Sequence, residues 1–260
     1  MAKLITKLYA GEVDMVFDPY WHTYVVTDSK ADNLPSKKTS VTTALKIIDK
    51  PQIRRWAVNM TVEYMKERLE PGKSYDEIQL ASMLAGAKNA NTQRMTDAGD
   101  SGTLLHQWVE DFINHKNPKI PVNPMLKESV KKFLTWVKKN KIEFLLPEQP
   151  IYSRKFGYAG TLDFICRYNG ELYIGDLKTS SGIYLEQMLQ TTPYRAAREE
   201  EFPEEKYAGQ LICRIGKDGS FEFKLLDDKS HPKMYQRMFM CFVAFLKGSE
   251  LYHQLEAETK

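Results

Sequence analysis

The stretch that decides the fold is residues 157–178, GYAGTLDFICRYNGELYIGDLK. Asn169-Gly170 separates two runs rich in apolar residues, and this dipeptide favours a two-residue type I′ hairpin turn because both of its residues tolerate positive φ. With that turn, residues whose numbers sum to 339 face each other across the hairpin. Asp163 therefore faces Asp176, and the two carboxylates lie on one face of the sheet with Cβ atoms about 4.5–5.5 Å apart.

Facing carboxylates repel each other, and apolar neighbours such as Leu162 and Ile174 increase the cost because they exclude water. A divalent cation offsets the repulsion, since Mg²⁺ prefers carboxylate oxygens and keeps several of its waters. Lys178, two residues after Asp176, points to the same face. The stretch therefore predicts the components of phosphodiester hydrolysis: a metal, its water and a cation. The alternative is a surface hairpin with an ordinary Asp–Lys pair.

The composition is that of an ordinary globular protein, with 42% hydrophobic and 27% charged residues among 260. The sequence contains no apolar run of about 18 residues and no secretory signal at its start, so we expect a soluble, intracellular protein without a membrane span. A net charge of +3 does not establish a polyanionic partner. Cys166, Cys213 and Cys241 are widely spaced and predict neither disulfides nor a zinc or iron–sulfur site.

The order of predicted elements indicates an α/β (α+β) fold with a mixed central sheet flanked by helices. The elements are an N-terminal hairpin in residues 12–28, a polar loop to Ser40, helices over about 41–72, 75–98 and around His106, a lysine-rich helix over 127–141, strands from 145 to 178, a helix over about 183–199, a hairpin turning near Asp218-Gly219, and a helix from Pro232. We expect residues 1–98 to form a hairpin and helical extension packed on a core of residues 99–260, together one compact domain.

Four short motifs resemble those of a known family. The stretches GTLLHQWVEDF, GTLD, GDLK and QTTPY, within residues 102–194, are similar in type and order to motifs of the PD-(D/E)xK nuclease superfamily. They look most like its RecB-like exonuclease branch, in particular phage-type and mitochondrial genome maintenance exonucleases that lack an iron–sulfur cluster. The resemblance implies a restriction-endonuclease-like core and a metal-dependent DNA exonuclease of phage-type recombination, repair or replication, working in the cytoplasm of a bacterium or phage-infected host.

The resemblance also implies roles for individual residues. The side chains of His106, Asp163 and Asp176 and the backbone carbonyl of Leu177 would bind one or two Mg²⁺ or Mn²⁺ ions, with Lys178 as the catalytic lysine. Gln190 and Tyr194, four residues apart on one helix face, would line the site. Pro193 lies between them and is expected to kink or end that helix.

Other interpretations remain open at the level of sequence. His106 could be a structural histidine at the edge of an apolar stripe, and Gln190 and Tyr194 could be packing residues. Arg154 and Lys155, upstream of the carboxylates, are candidate DNA-binding residues. DNA is the expected partner, alongside a second copy of the chain or a single-strand annealing protein. The alternative functions are a catalytically silent nucleic-acid-binding or recombination partner and a restriction-type endonuclease.

Overall fold

The computed structural model describes residues 4–259, without the side chains of Gln52 and residues 93–101. The strands are β1 (Leu4–Leu8), β2 (Val13–Asp18), β3 (Thr23–Asp28), β4 (Ser36–Ser40), β5 (Glu143–Tyr152), β6 (Tyr158–Tyr168), β7 (Glu171–Lys178), β8 (Tyr207–Ile215) and β9 (Phe221–Asp227). The helices are α1 (Val41–Ala44), α2 (Pro51–Lys66), α3 (Glu77–Ile113), α4 (Pro124–Lys139), α5 (Leu185–Glu201) and α6 (Met234–Glu258).

The described strands form one nine-stranded sheet in the order β1-β2-β3-β4-β6-β7-β8-β9, with β5 also paired to β6. The pairs β4–β6 and β7–β8 are parallel and the others are antiparallel. Helix α5 connects the parallel strands β7 and β8, as a parallel pair requires. The prediction of an α/β class with a mixed sheet and flanking helices is confirmed.

The hairpin β6–β7 has the predicted register. Asn169 and Gly170 have φ of 51° and 83°, as the type I′ turn requires. The paired residues run from Tyr168 with Glu171 to Phe164 with Gly175. Asp163 and Asp176 are the next residues of this register, just beyond its last pair, so they lie where the two strands separate.

The N-terminal strands extend the sheet further than the sequence predicts. The hairpin of residues 12–28 is present as β2 and β3, and buried Val13, Met15 and Val26 share a core with Tyr152 and Ala159. The expectation of a loop up to Ser40 is wrong, because residues 36–40 form β4, which pairs antiparallel with β3 and parallel with β6. Strand β4 contains little apolar sequence, so its backbone pairing with its two neighbours determines its conformation.

Aromatic packing fixes the end of α3 against the sheet. The ring centroid of Phe144 in β5 lies 6.1 Å from that of Phe112 in α3, 6.1 Å from that of Phe133 in α4 and 5.2 Å from that of Phe164 in β6. Trp108 stacks on Phe112 at 5.5 Å. These contacts hold the helix turn that carries His106 beside the strand that carries Asp163.

Helix α5 continues through Pro193, so the expectation that the helix ends there is wrong. Tertiary packing compensates for the missing backbone N–H, because Leu189, Tyr194 and Ala197 are buried around it. The Pro193 carbonyl also accepts a hydrogen bond from the Tyr158 hydroxyl at 2.8 Å. Gln190 and Tyr194 therefore remain on one continuous helix.

The chain forms two compact units. One contains the described residues up to Ile47 and those from His106 onward, including the whole sheet, and the other is Ile48–Leu105. These bounds differ from the expected division into 1–98 and 99–260, since pairing of β4 with β6 joins the N-terminal strands to the core. The expected boundary at 98–99 falls among the residues of α3 whose side chains lie outside the described part.

Within the second unit, Asp76 and Gln79 cap the start of α3. The Gln79 N–H donates to Asp76 Oδ1 at 2.7 Å, and the Asp76 N–H donates to Gln79 Oε1 at 3.1 Å. Across residues 4–259, no helix has both the length and the apolar character needed to cross a membrane.

Candidate functional site

Two carboxylates and a lysine meet where β6 and β7 separate. The Asp163 side chain is 27% exposed, and its Oδ2 accepts a hydrogen bond from the Leu177 N–H at 2.6 Å. The Asp176 side chain has no exposed surface, and Lys178 Nζ lies 2.7 Å from its Oδ2. Apart from this ion pair, no described residue donates a hydrogen bond to either oxygen of Asp176. A buried carboxylate is thus left with unused acceptor capacity.

The charges of these groups are strongly coupled. Burial, together with the negative charge of Asp163, raises the pKa of Asp176 to about 7, although Lys178 opposes this shift. Burial lowers the pKa of Lys178, but the charges of Asp176 and Asp163 outweigh it, so the pKa of Lys178 is raised overall. Lys178 is therefore protonated at neutral pH, and one additional positive charge would stabilise the ionised form of Asp176.

His106 lies at the edge of this group. Its Nδ1 is 4.0 Å from Asp163 Oδ2, and its side chain is 39% exposed. Burial, with a contribution from Lys178, lowers the pKa of His106, while Asp163 opposes the shift. A neutral imidazole has a lone pair free to bind a metal ion, so the protonation state suits the predicted role.

Gln190 and Tyr194 project from α5 toward the same place. Gln190 Nε2 donates a hydrogen bond to the Tyr194 hydroxyl at 2.9 Å, and Tyr194 is 2% exposed. Gly160 in β6 makes room for the tyrosine, because a Cβ at this position would lie 2.9 Å from the Tyr194 ring. The glycine of the GTLD stretch thus has a packing role beside the site.

One pocket of about 510 Å³ joins the predicted residues. His106, Asp163, Lys178, Gln190 and Tyr194 all contribute to its wall. Asp176 lies behind this wall, in contact with Lys178. The Leu177 N–H binds Asp163, and the role of the Leu177 carbonyl as a metal ligand stays a prediction.

Glu148 is a pocket residue that the sequence analysis missed. It lies in β5 with a φ of 39°, a conformation uncommon for a residue other than glycine. Burial raises the pKa of Glu148, and the nearby charges of Glu110 and Asp163 raise it further. The available signal was a glutamate between two prolines in PEQP, residues 147–150, which is too common a pattern to indicate a site.

Arg154 and Lys155, the candidate DNA-binding pair, do not line this pocket. The Arg154 guanidinium donates hydrogen bonds to both carboxylate oxygens of Asp28, at 2.7 and 2.8 Å, and to Glu12 at 2.9 Å. It also lies 4.2 Å from the Tyr9 ring centroid. Arg154 thus joins the N-terminal strands to the core, and Lys155 is the exposed member of the pair.

The residues present fit a hard divalent cation. Among the described residues, no three His, Cys, Asp or Glu side chains lie close enough together to form a complete metal site. Mg²⁺ does not require one, since it is commonly held by one or two carboxylates and keeps several waters. Asp163 and Asp176 could supply these oxygens, and His106 is the adjacent nitrogen donor. Oδ1 of buried Asp176, which has no partner among the described residues, is the observation that favours a cation here.

Comparisons with known proteins do not assign a family. No model of a known protein family matches the chain, and no curated protein matches it. One similar solved structure is the crystal structure of SSO0001, which is 12% identical with a TM-score of 0.31 and whose match covers 77% of this chain and 86% of that chain. This likeness is too weak to carry an argument.

Proposed function

We propose that this protein is a Mg²⁺- or Mn²⁺-dependent deoxyribonuclease, an exonuclease of the PD-(D/E)xK superfamily acting in the cytoplasm of a bacterium or phage-infected cell. One observation carries the proposal: Asp176 is fully buried, its Oδ1 has no partner among the described residues, and it lies directly behind Asp163 and Lys178 in the wall of a pocket. A buried carboxylate with an unsatisfied oxygen is costly, so such an arrangement supports a functional site.

In this proposal each side chain has a distinct task. A divalent cation held by Asp163 and Asp176 would neutralise negative charge on the phosphate and lower the pKa of water. Lys178, whose pKa is raised by the charges of Asp176 and Asp163, would donate a hydrogen bond to a phosphate oxygen. The Leu177 N–H fixes the orientation of Asp163. Gln190 and Tyr194, joined by their hydrogen bond, limit the shape of the pocket beside Lys178.

End-labelled linear DNA, single- and double-stranded, tests this proposal alongside covalently closed circular DNA. We expect Mg²⁺-dependent degradation of the linear forms only, with loss of activity in EDTA. Lys178→Ala should lower the rate at least about 10²-fold, the usual cost of removing one donor to a transition-state oxyanion. Lys224→Ala removes an exposed lysine of β9 and serves as the control with unchanged activity.

The other outcomes discriminate between the alternatives. Cleavage of closed circles would support a restriction-type endonuclease in place of an exonuclease. Binding of DNA without cleavage in either Mg²⁺ or Mn²⁺ would contradict the nuclease proposal and support a silent binding protein. Full activity of Lys178→Ala would also overturn the proposal.

A further inference from the structure

A second cavity, of about 560 Å³, adjoins the pocket that contains Asp163. Its wall includes Trp21 and His22 from the β2–β3 loop, Lys37 and Lys38 from β4, and Lys46. His22 and Ser40 line both this basic cavity and the Asp163 pocket, so the two spaces share part of their walls. A polymer bound in the basic cavity could therefore continue into the pocket that contains Asp163.

The basic cavity carries positive charge that the protein itself does not neutralise. Within residues 4–259, no carboxylate lies within ion-pair distance of Lys37, Lys38 or Lys46. Other lysines of the N-terminal strands are paired, such as Lys7 with Asp14 at 2.7 Å. Lys38 instead lies 5.7 Å from the Tyr152 ring centroid. Three unpaired cations around one cavity suit a ligand with several negative charges, such as a chain of phosphates.

The β2–β3 loop adds exposed aromatic rings to this basic cavity. Tyr20 and Trp21 are 80% and 70% exposed, and their ring centroids lie 4.8 Å apart with perpendicular planes. The loop is nevertheless ordered, because the N–H groups of both residues donate to Asp18 Oδ1, at 3.0 and 3.1 Å. Large aromatic rings held in solvent beside lysines are the features that proteins use to bind single-stranded nucleic acid, by base stacking and phosphate contacts.

We propose that the basic cavity and the β2–β3 loop bind a single-stranded nucleic-acid segment next to the bond that is cut. Lys37, Lys38 and Lys46 contact its phosphates, and Trp21 stacks on a base. A single strand is favoured over a duplex because stacking needs an exposed base face, which a duplex offers only at its ends. This inference deepens the proposed function and rests on it for the identity of the neighbouring site.

The test measures binding without cleavage. Fluorescence anisotropy in EDTA follows a labelled oligothymidylate of about 20 nucleotides binding to the full-length protein. We expect the triple variant Lys37→Ala, Lys38→Ala, Lys46→Ala to bind at least about 10-fold more weakly. Its slope of log affinity against log salt should be smaller by about 2, since each phosphate contact on a single strand contributes about 0.7. The control variant Lys119→Ala, Lys127→Ala, Lys224→Ala loses the same charge from exposed positions elsewhere and should bind as wild type does.

Tryptophan fluorescence tests the stacking contact separately. Oligothymidylate should quench the emission of wild type, and Trp21→Leu should lose most of this quenching and bind the single strand several-fold more weakly. Affinity for a blunt duplex of equal length should change less. Thermal unfolding of every variant confirms that it is folded.

The inference would be overturned if the two triple variants had equal effects, whether both weaken binding or neither does, or if quenching were unchanged in Trp21→Leu. Cleavage is measured in parallel with Mg²⁺, so the two proposals can fail separately. If wild type cleaves DNA normally but binding does not depend on the cavity lysines, the binding-site inference is contradicted and the nuclease function is not. Cavity-dependent binding without any cleavage contradicts the nuclease function and supports the binding role of the cavity.

Discussion

Lys178 Nζ lies 2.7 Å from Oδ2 of Asp176, a carboxylate with no exposed surface. One lysine cannot balance this carboxylate and Asp163 together, so the group carries an excess negative charge in a poorly solvated place. Burial is the largest cause that raises the pKa of Asp176 to about 7, and the charge of Asp163 adds to it. A bound divalent cation would remove the excess, and its binding should therefore stabilise the folded protein.

Mg²⁺ should raise the melting temperature of wild type, because the ion binds the folded state. Asp163→Asn and Asp176→Asn each remove one of the two carboxylates, so we expect this increase to be lost in both variants. Differential scanning fluorimetry over a range of Mg²⁺ concentrations measures the effect. Asp14→Asn, an exposed carboxylate of β2 paired with Lys7, is the control that should respond like wild type. An undiminished response in Asp176→Asn would mean that the carboxylate pair does not bind the ion.

Gly160→Ala should destabilise the protein by about 1–3 kcal/mol, the usual cost of overpacking. The added Cβ would lie 2.9 Å from the Tyr194 ring and 3.4 Å from Val41 Cγ2, so α5 or α1 must move. Gly182→Ala is the matched control, since the nearest atoms to its Cβ are 3.7 Å away, in Tyr184. Urea unfolding gives both free energies. Equal stability of the two variants would show that the contact of Gly160 with Tyr194 is unimportant.

The sequence predicts those parts of the site that depend on local chemistry. Asn169-Gly170 determines its own turn, and the turn determines the register that brings Asp163 beside Asp176. The same local rules place Gln190 and Tyr194 on one helix face. The proximity of His106 to Asp163 is different, because it results from aromatic packing of α3 against β5 and was expected only from the family resemblance.

The parts that the sequence does not predict depend on contacts between distant segments. Strand β4 has a polar sequence, and it forms because β3 and β6 both pair with it. Pro193 normally ends a helix, but burial of its neighbours keeps α5 continuous. Glu148 enters the pocket through an unusual backbone conformation, for which the sequence contains no specific signal.

Asp28→Asn should destabilise the protein at neutral pH by about 2 kcal/mol, because the uncharged amide offers Arg154 one acceptor oxygen in place of the two carboxylate oxygens. Hydrogen bonding from Arg154 lowers the pKa of Asp28 below its ordinary value of 3.8. A carboxyl group whose pKa is lower in the folded state than in the unfolded state stabilises the fold at pH values above its unfolded-state pKa. This stabilisation is lost as the pH falls through the folded-state pKa. The difference between wild type and Asp28→Asn should therefore shrink in acid below pH 3.8.

Urea unfolding at several pH values measures this effect. Asp14→Asn, whose carboxylate is 48% exposed, should show a much smaller difference at every pH. A difference for Asp28→Asn that stays constant into acid would contradict an ionic role for this pair.

Glu148→Gln should raise the Mg²⁺ concentration needed for half-maximal cleavage by several-fold. Glu148 lines the pocket with Asp163, and the charge of Asp163 contributes to the raised pKa of Glu148, so the two carboxylates influence each other. Removing one negative charge weakens the attraction for a cation at the site, while the proposed ligands stay in place. We therefore expect the rate at saturating Mg²⁺ to change little. Cleavage of linear DNA across a Mg²⁺ titration separates the two quantities.

Glu143→Gln is the matched control, because Glu143 lies in the same strand, is 62% exposed and pairs with Arg167 at 3.3 Å. It should leave the Mg²⁺ dependence unchanged. If Glu148→Gln instead abolished cleavage at every Mg²⁺ concentration, Glu148 would act directly on the substrate or on a second ion. This result would contradict an effect of Glu148 through its charge alone. If both variants showed the Mg²⁺ dependence of wild type, the charge of Glu148 would have no measurable effect on binding of the cation.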